Sequence, residues 1–125
     1  MILSVGTDAL EIERMALALK RQGAGFERRI FTEMENAYCK RKRNPASSYA
    51  ARFAAKEATL KALGRGLFQG AAMRDIEVTK GPRGKPSIKL SSGALKIFQE
   101  MGATTIHLSL THSRDIAFAV VIFEG

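Results

Sequence analysis

The alternation of apolar and polar positions divides the chain into a strand, three helices, and then strands interrupted by one more helix. Residues 2–7 form a short apolar run that reads as a strand and ends at Gly6-Thr7-Asp8. The spacing then turns helical, with Ile12, Met15, Ala16 and Leu19 on one face, and Asp8 followed by Glu11 predicts a capping box at that helix start. Gly23-Ala24-Gly25 breaks the helix, and 26–31 reads as a turn. Thr32 and Glu35 repeat the capping spacing ahead of a second helix running to Lys42. Its end is wholly basic, Lys40-Arg41-Lys42-Arg43, as suits the negative end of a helix dipole.

A third helix over 49–63 is the strongest of the set, rich in Ala and Leu with no internal Gly or Pro. Pro45 with Ser47 or Ser48 supplies a start and Gly64 a stop. At helical spacing Leu60, Phe53, Ala50, Ala54, Ala58, Ala51 and Ala62 share one broad face, with Arg52, Lys56 and Thr59 opposite as solvent-facing residues. Glu57 and Lys61 fall inside the apolar sector. A charge aimed at a core is costly unless paired, hydrogen-bonded or metal-bound. A Glu-to-Lys pair four residues apart explains their mutual attraction, but not their inward placement. On helix geometry alone, a functional site and a plain ion pair stand as equal alternatives.

Gly64-Arg65-Gly66 follows as a basic turn whose backbone can approach an anion closely. Ile76 and Val78, then Ile88 and Leu90, alternate around a loop, Gly81-Pro82-Arg83-Gly84-Lys85-Pro86, which predicts a hairpin. Residues 93–101 read as a short helix, 106–110 as an alternating strand, 111–114 as a turn, and 116–123 as a buried strand. The order predicts an α+β fold, a small mixed domain spanning 1–125 with an antiparallel sheet against the long central helix. No repeat or linker is visible.

The composition narrows the function. The longest apolar stretch is far too short to span a bilayer. No basic leader precedes the first apolar run, and a single cysteine, Cys39, suits a reducing compartment, so the expectation is a soluble, cytoplasmic protein. The net charge is +8, most of it from Arg14, Lys20, Arg21, Arg28, Arg29 and the basic run at 40–43. Such a field implies an anionic partner: nucleic acid, a phosphorylated cofactor or an acidic protein. The basic region lacks interleaved aromatics for base stacking and any zinc-ligand or RNA-binding sheet pattern.

Nucleophile elbows, Walker and dinucleotide fingerprints, and Cys/His zinc spacings are also missing. Hard-cation chemistry remains. Asp8 and Glu57 are candidates to hold one divalent ion, since magnesium takes one or two protein carboxylates and fills its other positions with water and substrate phosphates. Arg52, Lys61, Arg65, Lys85 and His112 would suit a diphosphate or phosphate ester. Without partners, His112 is a polar turn residue and Lys85 an exposed loop lysine.

Three segments carry a resemblance: 6–14 (Gly-Thr-Asp-Ala-Leu-Glu-Ile-Glu-Arg), 52–64 (Arg-Phe-Ala-Ala-Lys-Glu-Ala-Thr-Leu-Lys-Ala-Leu-Gly) and 108–113 (Leu-Ser-Leu-Thr-His-Ser). Together with Gly84-Lys85-Pro86 they resemble, in order and overall length, the 4′-phosphopantetheinyl transferases, specifically the small bacterial holo-acyl-carrier-protein synthase type. The Lys-Glu-Ala-x-x-Lys segment is the specific part. Two departures are Arg65, where relatives often have Thr, and Ile116, where an aromatic is common.

The resemblance implies transfer of the phosphopantetheine arm of coenzyme A to a serine of an acidic apo acyl carrier protein, in fatty acid or polyketide biosynthesis. It implies magnesium (Mg2+) on Asp8 and Glu57, and Lys61 against the phosphate, with Glu57 and Lys61 as the catalytic pair. Arg52, Gly64, Lys85, Pro86 and His112 would lie in or near the coenzyme pocket. Arg14, Arg21 and Arg28 become candidates for carrier docking, and a homotrimer binding coenzyme A between subunits is implied. The serine proton has three candidate acceptors: Glu57, Glu33 or a water on the metal. Two other classes compete: a basic nucleic-acid-binding module, and a scaffold that binds carrier proteins without chemistry. The resemblance favours the enzyme, with neither nucleic acid nor membrane as partner.

Overall fold

The computed structural model describes residues 1–64 and 70–125, so Arg65 and Gly66 of the basic turn lie outside the described residues. The elements run β1 (Ile2–Glu11), α1 (Ile12–Ile30), α2 (Glu33–Lys40), α3 (Pro45–Leu63), β2 (Ile76–Lys80), β3 (Pro86–Leu90), α4 (Ser92–Glu100), β4 (Thr105–His112) and β5 (Ile116–Glu124). β5 is the middle of an antiparallel sheet in the order β1-β5-β4, and β2 with β3 forms a separate hairpin. No helix among the described residues is long and apolar enough to cross a membrane.

The sheet's inner face explains where α3 lies. Ala117, Ala119, Val121 and Phe123 of β5 all point inward and are fully buried. Small residues there meet the alanines of α3, so helix and sheet come close. Ser4 Oγ donates to the Ala62 carbonyl at 2.6 Å. A Cβ at Gly6 would overlap the Ala58 carbonyl oxygen. Glycine is thus needed at this point of contact, whatever its φ. Gly6→Ala should lose about 2–3 kcal/mol of stability by overpacking backbone against backbone, measured as a lower denaturation midpoint; an unchanged midpoint would show that the helix can lift off freely.

α3 links two packed clusters. One includes β2, β3, α4, β4 and β5; the other joins α1 and α2 to the first half of α3. The helix is therefore covered on several sides. This overturns the expected solvent face: Arg52 is 7% exposed, and Lys56 and Thr59 are fully buried. The inward placement holds in part for Glu57, which is half-buried beside the core-packed Phe53, but not for Lys61, whose side chain is 55% exposed.

Other expectations shift in detail. β1 continues to Glu11 because Asp8 through Glu11 pair with Ala119 through Ile116. Asp8 is thus a strand residue, and its capping box with Glu11 does not form. Gly23 leaves helical backbone with a φ of 62° and breaks α1 into two helical pieces, as expected, although the second piece runs to Ile30 where a turn was expected. Thr32 and Glu35 do form the second capping box, although α2 ends at Lys40, two residues early. α3 starts at Pro45 and stops at Gly64, whose φ of 74° is left-handed. His112 belongs to β4 rather than to a turn.

Candidate active site

Two groups of side chains stand out, and α3 contributes to both. The first joins β1 to the second half of the helix. Lys61 Nζ lies 3.0 Å from Asp8 Oδ1 and donates to the Thr7 carbonyl at 3.0 Å. The ion pair of Lys61 is therefore with Asp8, and the expected bond to Glu57 is not formed among the described residues. Burial pushes the Glu57 carboxyl above the usual carboxylate range, the negative charge of Asp8 adds to the rise, and Lys61 opposes it. The two carboxylates are therefore near enough to repel, and the Thr7 carbonyl adds an oxygen beside Asp8, where Lys61 binds both.

Such a donor set fits a hard divalent cation, for which repulsion between the carboxylates would become attraction. The Lys61 ammonium already shows that Asp8 accepts a positive charge there. No group of three His, Cys, Asp or Glu side chains gathers among the described residues, so the protein would supply two carboxylates. Gly64 caps the same end of α3, and its N–H donates to the Lys61 carbonyl at 3.0 Å. Glu33, exposed at the start of α2, lies on an element that carries none of these groups.

The second group lines an open cleft of about 400 Å³ between α2, the start of α3, β2 and the end of β4. Tyr38 is at its centre. The Arg52 guanidinium carbon lies 3.9 Å from the ring centroid, Lys42 Nζ 4.5 Å and Lys80 Nζ 5.1 Å. Burial alone would raise the Tyr38 pKa, but Lys80, Lys42 and Arg52 together lower it to about 8. Arg52 Nη1 donates to Ser48 at 3.3 Å, whereas Arg52 Nε is buried with no partner among the described residues. Arg43, Pro86 and His112 complete the wall. A cleft with several cations, no carboxylate in its lining and an unanswered donor is built for a multiply charged anion.

The structure thus brings Arg52, Pro86 and His112 together, as the sequence led us to expect. Lys85 faces a neighbouring groove between the hairpin and β4 instead. Sequence reasoning missed Tyr38, Lys42, Arg43 and Lys80. The basic run at 40–43 was the available signal, read there as a solvated helix end. Arg14, Arg21 and Arg28 are exposed on α1, and none is ion-paired among the described residues.

Comparison with known proteins gives a consistent match. The profile of the 4′-phosphopantetheinyl transferase superfamily matches residues 4–121. A holo-[acyl-carrier-protein] synthase of Syntrophus aciditrophicus is 44% identical over 125 residues, covering 100% of this chain and 98% of the relative. The crystal structure of a holo-[acyl-carrier-protein] synthase from Neisseria meningitidis superposes with a TM-score of 0.91 at 32% identity, over 100% of both chains. That of the Helicobacter pylori synthase in complex with coenzyme A gives 0.84 at 32% identity, over 96% of this chain and 99% of the other. On this full-length match of sequence and fold, the chain belongs to the 4′-phosphopantetheinyl transferase superfamily, in its holo-[acyl-carrier-protein] synthase type.

Proposed function

We propose that this protein transfers the 4′-phosphopantetheine group of coenzyme A to a serine hydroxyl of an apo acyl carrier protein, releasing adenosine 3′,5′-bisphosphate. The observation that carries the reading is the meeting of Asp8, Glu57 and Lys61 from distant parts of a chain that matches holo-[acyl-carrier-protein] synthases end to end. Coenzyme A has two anionic centres, a diphosphate and a ribose phosphate. The cleft of cations around Tyr38 suits one of them, and the Asp8–Glu57–Lys61 group would suit the other once a divalent ion is held there.

In this reading Asp8 and Glu57 hold magnesium with the diphosphate. When bound, magnesium would neutralise the diphosphate oxygens as charge moves from the attacking to the leaving side. Lys61 leaves Asp8 and donates to the reacting phosphoryl group, stabilising charge in a reaction where positioning and electrostatics supply most of the catalysis. The serine oxygen forms the new P–O bond, the bond to adenosine bisphosphate breaks, and the serine proton passes to a nearby base. Arg52, His112, Pro86 and the Lys42–Lys80 pair receive the ribose phosphate end, with Lys85 and Gly64 nearer the pantetheine and diphosphate.

Arg52 and Glu57 project from α3 about 140° apart at helical spacing. One coenzyme reaching both sites therefore suits an arrangement in which neighbouring subunits each supply one. The outer face of the sheet supports such an assembly: Leu3, Val5 and Ile116 are 38%, 54% and 45% exposed, beside half-buried Phe118, Val120 and Ile122. We read this apolar face as the seam of a homotrimer working in the cytoplasm.

Mass spectrometry of an apo carrier incubated with the protein, coenzyme A and magnesium tests the activity: the expected result is a gain of one phosphopantetheine mass. No gain on any of several carriers would overturn the assignment. Docking is tested separately. Arg21→Glu, and likewise Arg14→Glu, should raise the KM for carrier about tenfold, less at high salt, without changing that for coenzyme A, because such charges steer encounter. Equal effects on both substrates, or none, would remove α1 from the interface.

A further inference from the structure

We propose that the buried Glu35–Lys56 ion pair is a positioning device that fixes the cation cage around Tyr38. The proposal rests on reading the cleft as a coenzyme phosphate site, but the geometry stands without it.

The pair is fully enclosed, with both side chains at 0% exposure and Lys56 Nζ 2.6 Å from Glu35 Oε1. Its remaining capacity goes to backbone. Glu35 accepts from the Thr32 N–H and the Val78 N–H, both at 2.8 Å. Lys56 donates to the Met73 carbonyl at 3.1 Å and to the Ile76 carbonyl. Three elements are tied at one point: α2 through Glu35, α3 through Lys56, and β2 through Val78 and Ile76.

Each tie is one step from a cage residue. Tyr38 lies one helical turn beyond Glu35, Arg52 one turn before Lys56, and Lys80 on the same side of its strand as Val78. The cage needs Lys80 and Arg52 held against the ring against mutual repulsion, which loosely packed elements would relieve by separating. Stability alone does not call for charges here, because a well-packed apolar pair of similar volume serves a core equally well. Directional bonds to four backbone groups do what an apolar pair cannot: they set the register of α2, α3 and β2 relative to one another.

The chain offers a direct readout. It has two tyrosines and no tryptophan, and burial raises the Tyr49 pKa well above the ordinary tyrosine value, with neighbouring acids adding to the rise. The first phenolate to appear in an ultraviolet pH titration therefore reports Tyr38, expected near pH 8 in the wild type. Lys42, Arg52 and Lys80 face it from α2, α3 and β2, with Arg43 and His112 also lining the cleft.

Two variants test the role: Glu35→Leu/Lys56→Met, which leaves no charge buried alone, and Glu35→Gln, which keeps the shape but not the charge. In either, if cooperatively folded, Tyr38 should titrate about one pH unit higher or more, toward the ordinary value. The KM for coenzyme A should rise about tenfold with kcat little changed. A folded variant in which Tyr38 still titrates near pH 8 would overturn the proposal, as would failure of both variants to fold, which would make the pair a general stability element. An upward shift with an unaltered KM for coenzyme A would support the positioning role and remove coenzyme A as the ligand of the cleft.

Discussion

Glu57→Ala should lower turnover on an apo carrier by roughly a hundred- to a thousandfold, the usual cost of removing a group that organises transition-state charge. The fold should not suffer. Glu57 is half-buried at the edge of α3, its carboxyl raised in pKa by burial and by repulsion from Asp8. Deleting it relieves that repulsion, so the melting midpoint should stay level or rise, as is common where function holds like charges together. Magnesium provides a second readout. It should raise the midpoint of the wild type, since a ligand that binds only the folded state stabilises it, and leave that of the variant unmoved. Asp8→Ala should behave the same way, although it also frees Lys61, whose ammonium now rests on Asp8. Near-normal turnover by a folded variant supplied with magnesium would sink the metal assignment.

The neighbouring lysine predicts the opposite outcome. Lys56→Met should cost about 3–5 kcal/mol, because it strands the Glu35 carboxylate in the core and removes the ammonium donor from the Ile76 carbonyl and from the Met73 carbonyl, which keeps only the Ile76 N–H. Against a typical stability of about 5–15 kcal/mol this is a large share, and the melting midpoint should fall by roughly 10–20 °C. Replacing Glu35 by Leu in the same chain should recover most of the loss, since no charge is then buried alone. A double variant as unstable as the single one would show that the carbonyls deprived of the ammonium, not the carboxylate, carry the cost. Lys56 and Glu57 are adjacent in sequence, yet one is expected to decide stability and the other chemistry.

That contrast also shows what the sequence could and could not disclose. Glu57 and Lys61 share a sector with buried alanines at helical spacing, yet Glu57 is only half-buried there and Lys61 reaches out to Asp8. A helix so rich in alanine has little amphipathic contrast, and one covered by a sheet, three helices and a hairpin has no single polar side to find. Arg52 and Lys56 are buried because Tyr38 and Glu35 arrive from another helix to receive them, and no local pattern contains that meeting. Asp8 was placed in a cap because the capping spacing is local, whereas the ladder to Ala119 that keeps it in a strand is not. Local signals held where no long-range ladder competed, as in the capping box of α2, the hairpin and the Gly64 stop. The pairing of Asp8 with Glu57 was a candidate by elimination, and only the family motif made it specific.

The contact at Gly6 gives the site a dimension. Asp8 lies two residues along the same strand and face, and Glu57 precedes Ala58, the residue whose carbonyl leaves no room for a Cβ. On the proposed assignment, strand and helix would be the two arms of a chelate, with one carboxylate on each. In a Gly6→Ala chain that still folded, the arms would open by roughly an ångström, a displacement that can cost about a hundredfold in a preorganised centre. Ion affinity in such a chain would measure how closely the helix rests on the sheet.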